Sequence, residues 1–252
     1  MVKKKWHHHA KHHSKKVWEF FWNEDSVASF VANVLVAFLV IYFMLYPVLG
    51  MVLGTSFPIV AVVSESMEHS ASAVCQEVDQ ISGRCSRYSS TTKTICGNNI
   101  DNFLDSFDNY WDVCGYWYDQ REISKEQFNN FPMKNGFNKG DVIILFESTP
   151  QNTDVGDVLI FQANRAQPII HRVVDKKEEL GITYYSTKGD HNSNTISSPL
   201  QENKIHEDRV FGKALVRLPY LGWIKILFVD AVSLVGINIV KWAYIRFFTK
   251  DF

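Results

Sequence analysis

The chain lacks any charged residue between Asp25 and Glu65, although Asp, Glu, Lys and Arg make up 21% of its 252 residues. It also lacks an excess of either charge, because 26 basic residues stand against 27 acidic ones. That balance argues against nucleic acid as a partner, since nucleic-acid-binding domains usually carry a basic surface. An apolar share of 46% excludes an intrinsically disordered chain, and the length predicts one main domain.

The chain contains no glycine-rich phosphate loop, no HExxH, no GxSxG and no internal repeat. Its four cysteines form no CxxC pair, and their separations of 10, 11 and 18 residues do not match zinc-site spacing. The histidine clusters at 7–9 and 12–13 are interpreted as part of a solvated tail, because short His-rich tracts are weakly specific for metal. We therefore predict no metal site and no cofactor.

The uncharged stretch predicts a transmembrane helix. Asn33 is the only strongly polar residue of the apolar stretch 27–53, and about 20 apolar residues span the hydrocarbon core. A cleaved secretory signal is the alternative, but the apolar run is too long for one. The lysines before the stretch predict a cytoplasmic N-terminus, and everything after Leu53 then starts outside. Residues 1–25 are interpreted as a basic, His-rich cytoplasmic tail and 26–54 as a helix in the cell membrane, with the lipid bilayer as a partner.

A second apolar stretch, 221–246, predicts another transmembrane helix. Lys225 and Asp230 interrupt its first half, and basic residues follow it. This pattern suits a helix that returns to the cytoplasm, with 247–252 as a second cytoplasmic tail. The alternative is an amphipathic helix lying in the membrane interface, which would leave the C-terminus outside.

The residues between the two apolar stretches predict a mainly β domain with an insertion. Residues 136–220 contain short β-branched and aromatic runs, two of which follow Gly-Asp pairs, a pattern typical of strands and turns. Residues 70–135 have no long apolar run and hold all four cysteines, which predicts an inserted, Cys- and aromatic-rich subdomain. Outside the cytoplasm an even cysteine count favours two disulfides, with three connectivities open. The candidates are Cys75, Cys85, Cys96 and Cys114.

Residues 55–69 hold two serines close to the membrane. Ser66 lies 13 residues after Leu53, within about 40 Å of the bilayer even in a fully extended chain. A nucleophilic serine needs a base, and His171, inside an apolar strand-like run, titrates near neutrality. Ser64 shares a face with Ser66 in an extended segment and is a candidate donor to an oxyanion. By themselves these residues are more typical of a solvated serine pair and a half-buried strand histidine than of a catalytic site.

The order of the motifs resembles that of the type I signal peptidases. An N-terminal span is followed by five boxes, which are Ser64-Glu65-Ser66-Met67, Gly140-Asp141-Val142, Gly156-Asp157-Val158, Ile170-His171-Arg172-Val173-Val174 and Lys188-Gly189-Asp190. The stretch Val210–Gly222 resembles the one that closes the domain in archaeal members. The resemblance covers about 27–70 and 135–225 and points to the archaeal and endoplasmic-reticulum branch, whose base is histidine. It implies a signal-peptidase-like β fold for the catalytic domain.

The resemblance implies a role for each matching residue. Ser66 is expected to be the nucleophile and His171 the general base. Asp190 is expected to be the acid that orients the histidine. Ser64 and Met67 are expected to support the oxyanion hole. No cofactor is implied.

The chain departs from the family pattern at two points. A second aspartate, usual five or six residues after the first, is replaced by Thr195 and Ile196. Three alternatives remain for the acid, namely Asp190, Asp208 or a dyad without an essential acid. His69 stands in the region where a proline is usual, and its closeness in sequence to the nucleophile makes it a rival base.

The resemblance implies a membrane-bound serine endopeptidase that removes signal peptides from exported pre-proteins. Its partners are then signal-peptide-bearing pre-proteins, the lipid bilayer and the protein-translocation machinery. Two alternatives stay open. One is a peptidase for pilin-like precursors, and the other is a non-catalytic membrane-anchored binding module on a signal-peptidase scaffold.

Overall fold

The computed structural model describes residues 18–23, 26–78, 85–100, 106–165 and 167–227. The chain divides into two units, Met1–Val52 and Leu53–Phe252. Residues 1–17 of the predicted N-terminal tail and the predicted C-terminal tail at 247–252 lie outside the described residues. So does most of the predicted second membrane helix, of which only 221–227 is described.

One long helix, α1, covers Val27–Leu53 and makes up most of the described part of the first unit. Its N-cap is Ser26, whose hydroxyl accepts a hydrogen bond from the Ser29 N–H. Among the described helices, α1 alone is long and apolar enough to cross a membrane. Only 6% of its most apolar 18-residue stretch is buried within the protein. A helix at the predicted position is therefore confirmed.

The second unit is mainly β. Its elements along the chain are β1 (Ile59–Ala61), β2 (Ser72–Val78), β3 (Cys85–Ile95), β4 (Asn98–Ile100), α2 (Phe107–Asp119), α3 (Lys125–Asn129), β5 (Val142–Phe146), β6 (Val158–Phe161), β7 (Ile169–Glu179), β8 (Ile182–Lys188), β9 (Ile205–His206) and β10 (Val210–Leu218). The strands β5 and β6 directly follow the two Gly-Asp pairs, as the sequence predicts. The mainly β character is confirmed.

Seven strands form one antiparallel sheet in the order β1-β5-β10-β6-β7-β8-β9. Strand β10 pairs with β5 along one part and with β6 along the other, and its register shifts on each side. These shifts lie between Ala214 and Val216 and between Val210 and Gly212. Bulges of this kind bend a strand and increase its twist, so the sheet curls.

Strand β6 lies between two core clusters. Its four residues are all buried, and successive strand side chains point to opposite faces. Val158 and Ile160 therefore pack in one cluster, while Leu159 and Phe161 pack in the other. The first cluster also contains Met67, so the core anchors the Ser-Glu-Ser-Met motif.

The 70–135 segment contributes a three-stranded sheet, β2-β3-β4, and the helices α2 and α3. Its aromatic side chains form a third cluster that includes Val174 of β7. The N-cap of helix α2 is Ser106, whose hydroxyl accepts a hydrogen bond from the Asn109 N–H. Ser124 and Gln127 form a capping box at α3. The described part of the segment thus shares a core with the seven-stranded sheet.

The structure pairs the four cysteines as Cys75–Cys85 and Cys96–Cys114. The first bridge joins β2 to β3, and the second joins the turn after β3 to helix α2. This is one of the three connectivities that the sequence leaves open.

Leu145 of β5 tests this core, because its side chain is fully buried in the first cluster. We expect Leu145→Ala to lower the free energy of unfolding by about 2–5 kcal/mol, since it removes buried methyl groups and leaves a cavity. The fully exposed Leu180 supplies the control, and Leu180→Ala should change that free energy by less than about 0.5 kcal/mol. Denaturant titration in detergent measures both, and equal effects would contradict the described core.

Candidate active site

The Ser-Glu-Ser-Met motif follows strand β1 and ends in a tight turn. The Glu68 N–H donates to the Glu65 carbonyl at 3.0 Å, and Met67, at 1% exposure, holds the turn on the core. Ser66 is half-buried and Ser64 is exposed, with 3.3 Å between their hydroxyl oxygens. The structure therefore brings the two serines together.

His171 lies on β7, paired with Leu159 of β6, and is 3% exposed. Its Nε2 atom is 2.9 Å from the Oγ of Ser66, and its Nδ1 atom is hydrogen-bonded to the Oε1 of Glu202. When Nδ1–H donates to the carboxylate, Nε2 is left to accept the serine proton. A hydroxyl, an imidazole and a carboxylate thus stand in the order that nucleophilic catalysis by serine requires.

Glu202 is a residue that the sequence motifs do not single out. It is fully buried, and its Oε2 accepts from the Ile196 N–H at 2.7 Å. Ile196 occupies one of the two positions where a second aspartate is usual. Its side chain supplies no acid, but its backbone N–H holds the carboxylate of Glu202. Glu202 is the one acid between Asp190 and Glu207. A search extended past the expected spacing would have found it.

Asp190 is paired with Arg172 and not with His171. The Nη2 of Arg172 lies 2.7 Å from Oδ2 of Asp190, its Nε lies 2.9 Å from Oδ1, and both side chains are fully buried. Successive side chains on β7 point to opposite faces, so His171 and Arg172 reach different carboxylates. Burial raises the pKa of Asp190, but the Arg172 charge and hydrogen bonds from His69 and Arg172 hold that pKa well below its ordinary value. Asp190 is therefore a buried carboxylate engaged away from the Nδ1 of His171.

His69 is engaged with Asp190 and not with the serine. Its Nε2 is 3.0 Å from the Oδ2 of Asp190, and its ring stacks on Tyr110 with 3.6 Å between the centroids. Burial lowers the pKa of His69, against the opposing hydrogen bond to Asp190. Of the two candidate bases, the structure places His171 at Ser66.

Gly189 lets the 188–194 loop approach Ser66 and His171 closely. A Cβ at this position would lie 2.7 Å from the carbonyl oxygen of Ser66 and 2.8 Å from the Nε2 of His171. The preceding Lys188 is fully buried, and its Nζ donates to the Gly189 carbonyl at 3.1 Å. Burial lowers the pKa of Lys188 to about 8, although Asp190 opposes that shift.

Asp208 stands apart from this arrangement. It lies in a 3-10 turn, Glu207–Arg209, where its side chain is 85% exposed and 3.4 Å from the Nδ1 of His206. It is therefore not placed to orient the buried His171.

Within the described ranges, no three His, Cys, Asp or Glu side chains cluster so as to hold a metal ion.

Known proteins similar to this chain are signal peptidase catalytic subunits. The human signal peptidase complex catalytic subunit SEC11C is 30% identical over 102 residues, which are 39% of this chain and 53% of the human protein. The subunit SEC11 of Colletotrichum graminicola is 28% identical over 100 residues, which are 38% of this chain and 58% of the fungal protein. The resemblance to the signal peptidases is confirmed.

The chain spans only a little over half the length of the signal peptidase relatives that it matches, 53% and 58% for these two. It matches no protein-family profile. Both relatives are eukaryotic, so the archaeal type expected from the Val210–Gly222 stretch stays a prediction. Both are catalytic subunits of a complex.

We expect Asp190→Asn to lower the free energy of unfolding by about 3–5 kcal/mol at neutral pH, because it leaves the buried Arg172 charge without its partner. The folded-state pKa of Asp190 lies below its ordinary value of 3.8, so its stabilisation is present above that value and is lost as the pH falls below it. The difference in free energy of unfolding between wild type and Asp190→Asn should therefore become smaller below about pH 4.

The free energy of unfolding, measured by denaturant titration at neutral pH and at about pH 3, checks this expectation. Asp208→Asn is the matched control, since it removes the charge of an exposed carboxylate and should leave stability close to wild type at both pH values. If the loss of unfolding free energy in Asp190→Asn is the same at both pH values, the Arg172–Asp190 ion pair is contradicted.

Proposed function

We propose that this chain is a membrane-anchored serine endopeptidase that removes signal peptides from exported pre-proteins. The observation that carries the proposal is the 2.9 Å contact between the Oγ of Ser66 and the Nε2 of His171, with Glu202 bonded to Nδ1. The similarity to signal peptidase catalytic subunits supports the choice of substrate.

The chemistry proceeds through an acyl-enzyme. The Oγ of Ser66 attacks the scissile carbonyl carbon while its proton passes to the Nε2 of His171. The hydroxyl of Ser64, 3.3 Å from the Oγ of Ser66, donates to the developing oxyanion together with backbone N–H groups. The imidazolium then returns its proton to the leaving amine, and the C–N bond breaks. Water, deprotonated by His171, hydrolyses the ester and restores the serine.

Glu202, and not Asp190, is the acid that positions the histidine in this proposal. The Ile196 N–H fixes one oxygen of the Glu202 carboxylate, so the other oxygen faces the Nδ1 of His171. This bond selects the tautomer with a free Nε2 lone pair and stabilises the imidazolium that forms during attack. Asp190 acts through the buried Arg172 pair and supports the surrounding loop.

The apolar helix explains why such a site suits signal peptides. Ser66 follows the end of α1 by 13 residues, so the chain keeps it within about 40 Å of the membrane even when fully extended. A signal peptide leaves its apolar segment in the same membrane. Anchoring therefore raises the local concentration of the bond to be cut.

Cleavage of a signal-peptide-bearing precursor by purified protein in detergent tests the proposal. We expect Ser66→Ala and His171→Ala to lower kcat by about 10³-fold or more, because each removes a group that takes part in bond formation. We expect Glu202→Gln to lower kcat by about 10²-fold or more with little change in KM, and Glu202→Asp to recover part of the loss. The product N-terminus, read by mass spectrometry, identifies the bond.

The control for this series is Ser90→Ala, at an exposed serine of the 70–135 segment, which should cleave like wild type. A Ser66→Ala variant that cleaves normally would reject the peptidase in favour of a non-catalytic binding module. Normal cleavage by Glu202→Gln would reject Glu202 as the orienting acid.

The orientation in the membrane is tested by single cysteines, since all four native cysteines are in disulfides. We expect Ser14→Cys to react with a membrane-impermeant maleimide only after permeabilisation, because the preceding lysines hold the N-terminus in the cytoplasm. Ser90→Cys should react in intact cells. Thr249→Cys should behave like Ser14→Cys if the second span exists and like Ser90→Cys if it does not. Labelling of Ser14→Cys in intact cells would reverse the proposed topology.

A further inference from the structure

The 188–194 loop touches the nucleophile directly. The His191 N–H donates to the carbonyl oxygen of Ser66 at 3.0 Å. Two residues earlier, the backbone of Gly189 lies so close to Ser66 and His171 that no side chain fits there. A shift of this loop must therefore move the backbone that carries the Ser66 hydroxyl.

The other side of the same loop is held by the 70–135 segment. The Cys96 N–H donates to the carbonyl oxygen of His191 at 2.9 Å. From helix α2, the Tyr110 hydroxyl donates to the Asp190 carbonyl at 3.0 Å, and the Trp117 Nε1–H donates to the Asn194 Oδ1 at 3.0 Å. The segment thus contacts the loop from two of its own elements.

The second disulfide joins those two elements. Cys96 and Gly97 form the two-residue turn between β3 and β4, both with positive φ, a geometry typical of tight hairpins. This geometry leaves the Cys96 N–H free to donate outward to His191. Cys114, 2% exposed in helix α2, ties the turn to the helix that carries Tyr110 and Trp117.

We infer that the Cys96–Cys114 disulfide and helix α2 act as a positioning device for the nucleophile, through the hydrogen bonds from Cys96 to His191 and from His191 to Ser66. This inference rests on the proposed function of Ser66. If the Cys96–Cys114 disulfide positions Ser66 in this way, peptidase activity depends on that disulfide being oxidised. The Cys75–Cys85 bridge, which joins β2 to β3, has no part in the device.

The test compares two bridge-removal variants. Cys96→Asn/Cys114→Ala removes the second bridge while asparagine tolerates the positive φ of the turn. We expect its kcat on a signal-peptide-bearing precursor to fall about tenfold or more, with KM within about twofold, because the device acts on Ser66 and not on substrate binding. Labelling of Ser66 by a fluorophosphonate probe should slow by a similar factor. Cys75→Ala/Cys85→Ala is the matched control and should keep the wild-type kcat.

Amide hydrogen exchange supplies a readout that does not need catalysis. In Cys96→Asn/Cys114→Ala, peptides that cover 188–194 and 64–67 should exchange faster than in wild type and in the control. Faster exchange confined to 85–119, together with a wild-type kcat, would overturn the inference. If wild type cleaves no precursor and takes no probe, the proposed function fails, and the exchange result alone then decides the inference.

Tyr110→Phe covers the case in which the bridge variant does not fold. It keeps both disulfides and the buried ring but removes the hydroxyl that bonds to the Asp190 carbonyl. Exchange at 188–194 should again be faster than in wild type. Unchanged exchange in a folded Tyr110→Phe protein would contradict the role of helix α2.

Discussion

The alternation of side chains along strand β7 is the constraint on which the site depends. It sends His171 toward Ser66 and Glu202, and it sends the next residue, Arg172, toward Asp190. Both carboxylates are fully buried, and a buried carboxylate is tolerated only with a hydrogen-bonded or charged partner. Two neighbouring strand positions therefore contact two different acids. One faces the imidazole of the proposed catalytic pair, and the other balances a buried guanidinium.

The Arg172–Asp190 pair also joins the site to the 70–135 segment. Asp190 accepts from Tyr118 of helix α2 and from His69, which stacks on Tyr110 of the same helix. Burial raises the pKa of both tyrosines well above the ordinary value, so they remain neutral donors at physiological pH. The low dielectric of the protein interior strengthens the hydrogen bonds of a buried network of this kind. The segment therefore completes the polar core beneath Ser66 and is not an appendage on the surface of the sheet.

The strands and the serine–histidine pair could be foreseen because their signals are local or are carried by a family motif. Gly-Asp turns followed by β-branched runs specify β5 and β6 within a few residues. The acid partner could not be foreseen in this way. The motif pointed to Asp190 by position, but a carboxylate acts on the group that it faces, and Asp190 faces Arg172. Glu202 lies beyond the usual spacing and reaches the histidine because the backbone at Ile196 turns its carboxylate toward β7.

The amino-acid sequence is enough to predict the apolar helix, the mainly β character of the following domain and the interest of Ser66 and His171 as a pair. The first two follow from hydrophobic pattern and turn chemistry, which are set by residues near one another in the chain, and the pair follows from the order of short motifs along the chain. The cysteine pairing, the acid at the Nδ1 of His171 and the hydrogen bond between His69 and Asp190 are seen only in the folded structure. These contacts join residues as far as 121 positions apart, so they depend on how the sheet and the 70–135 segment pack together. No local pattern encodes that packing.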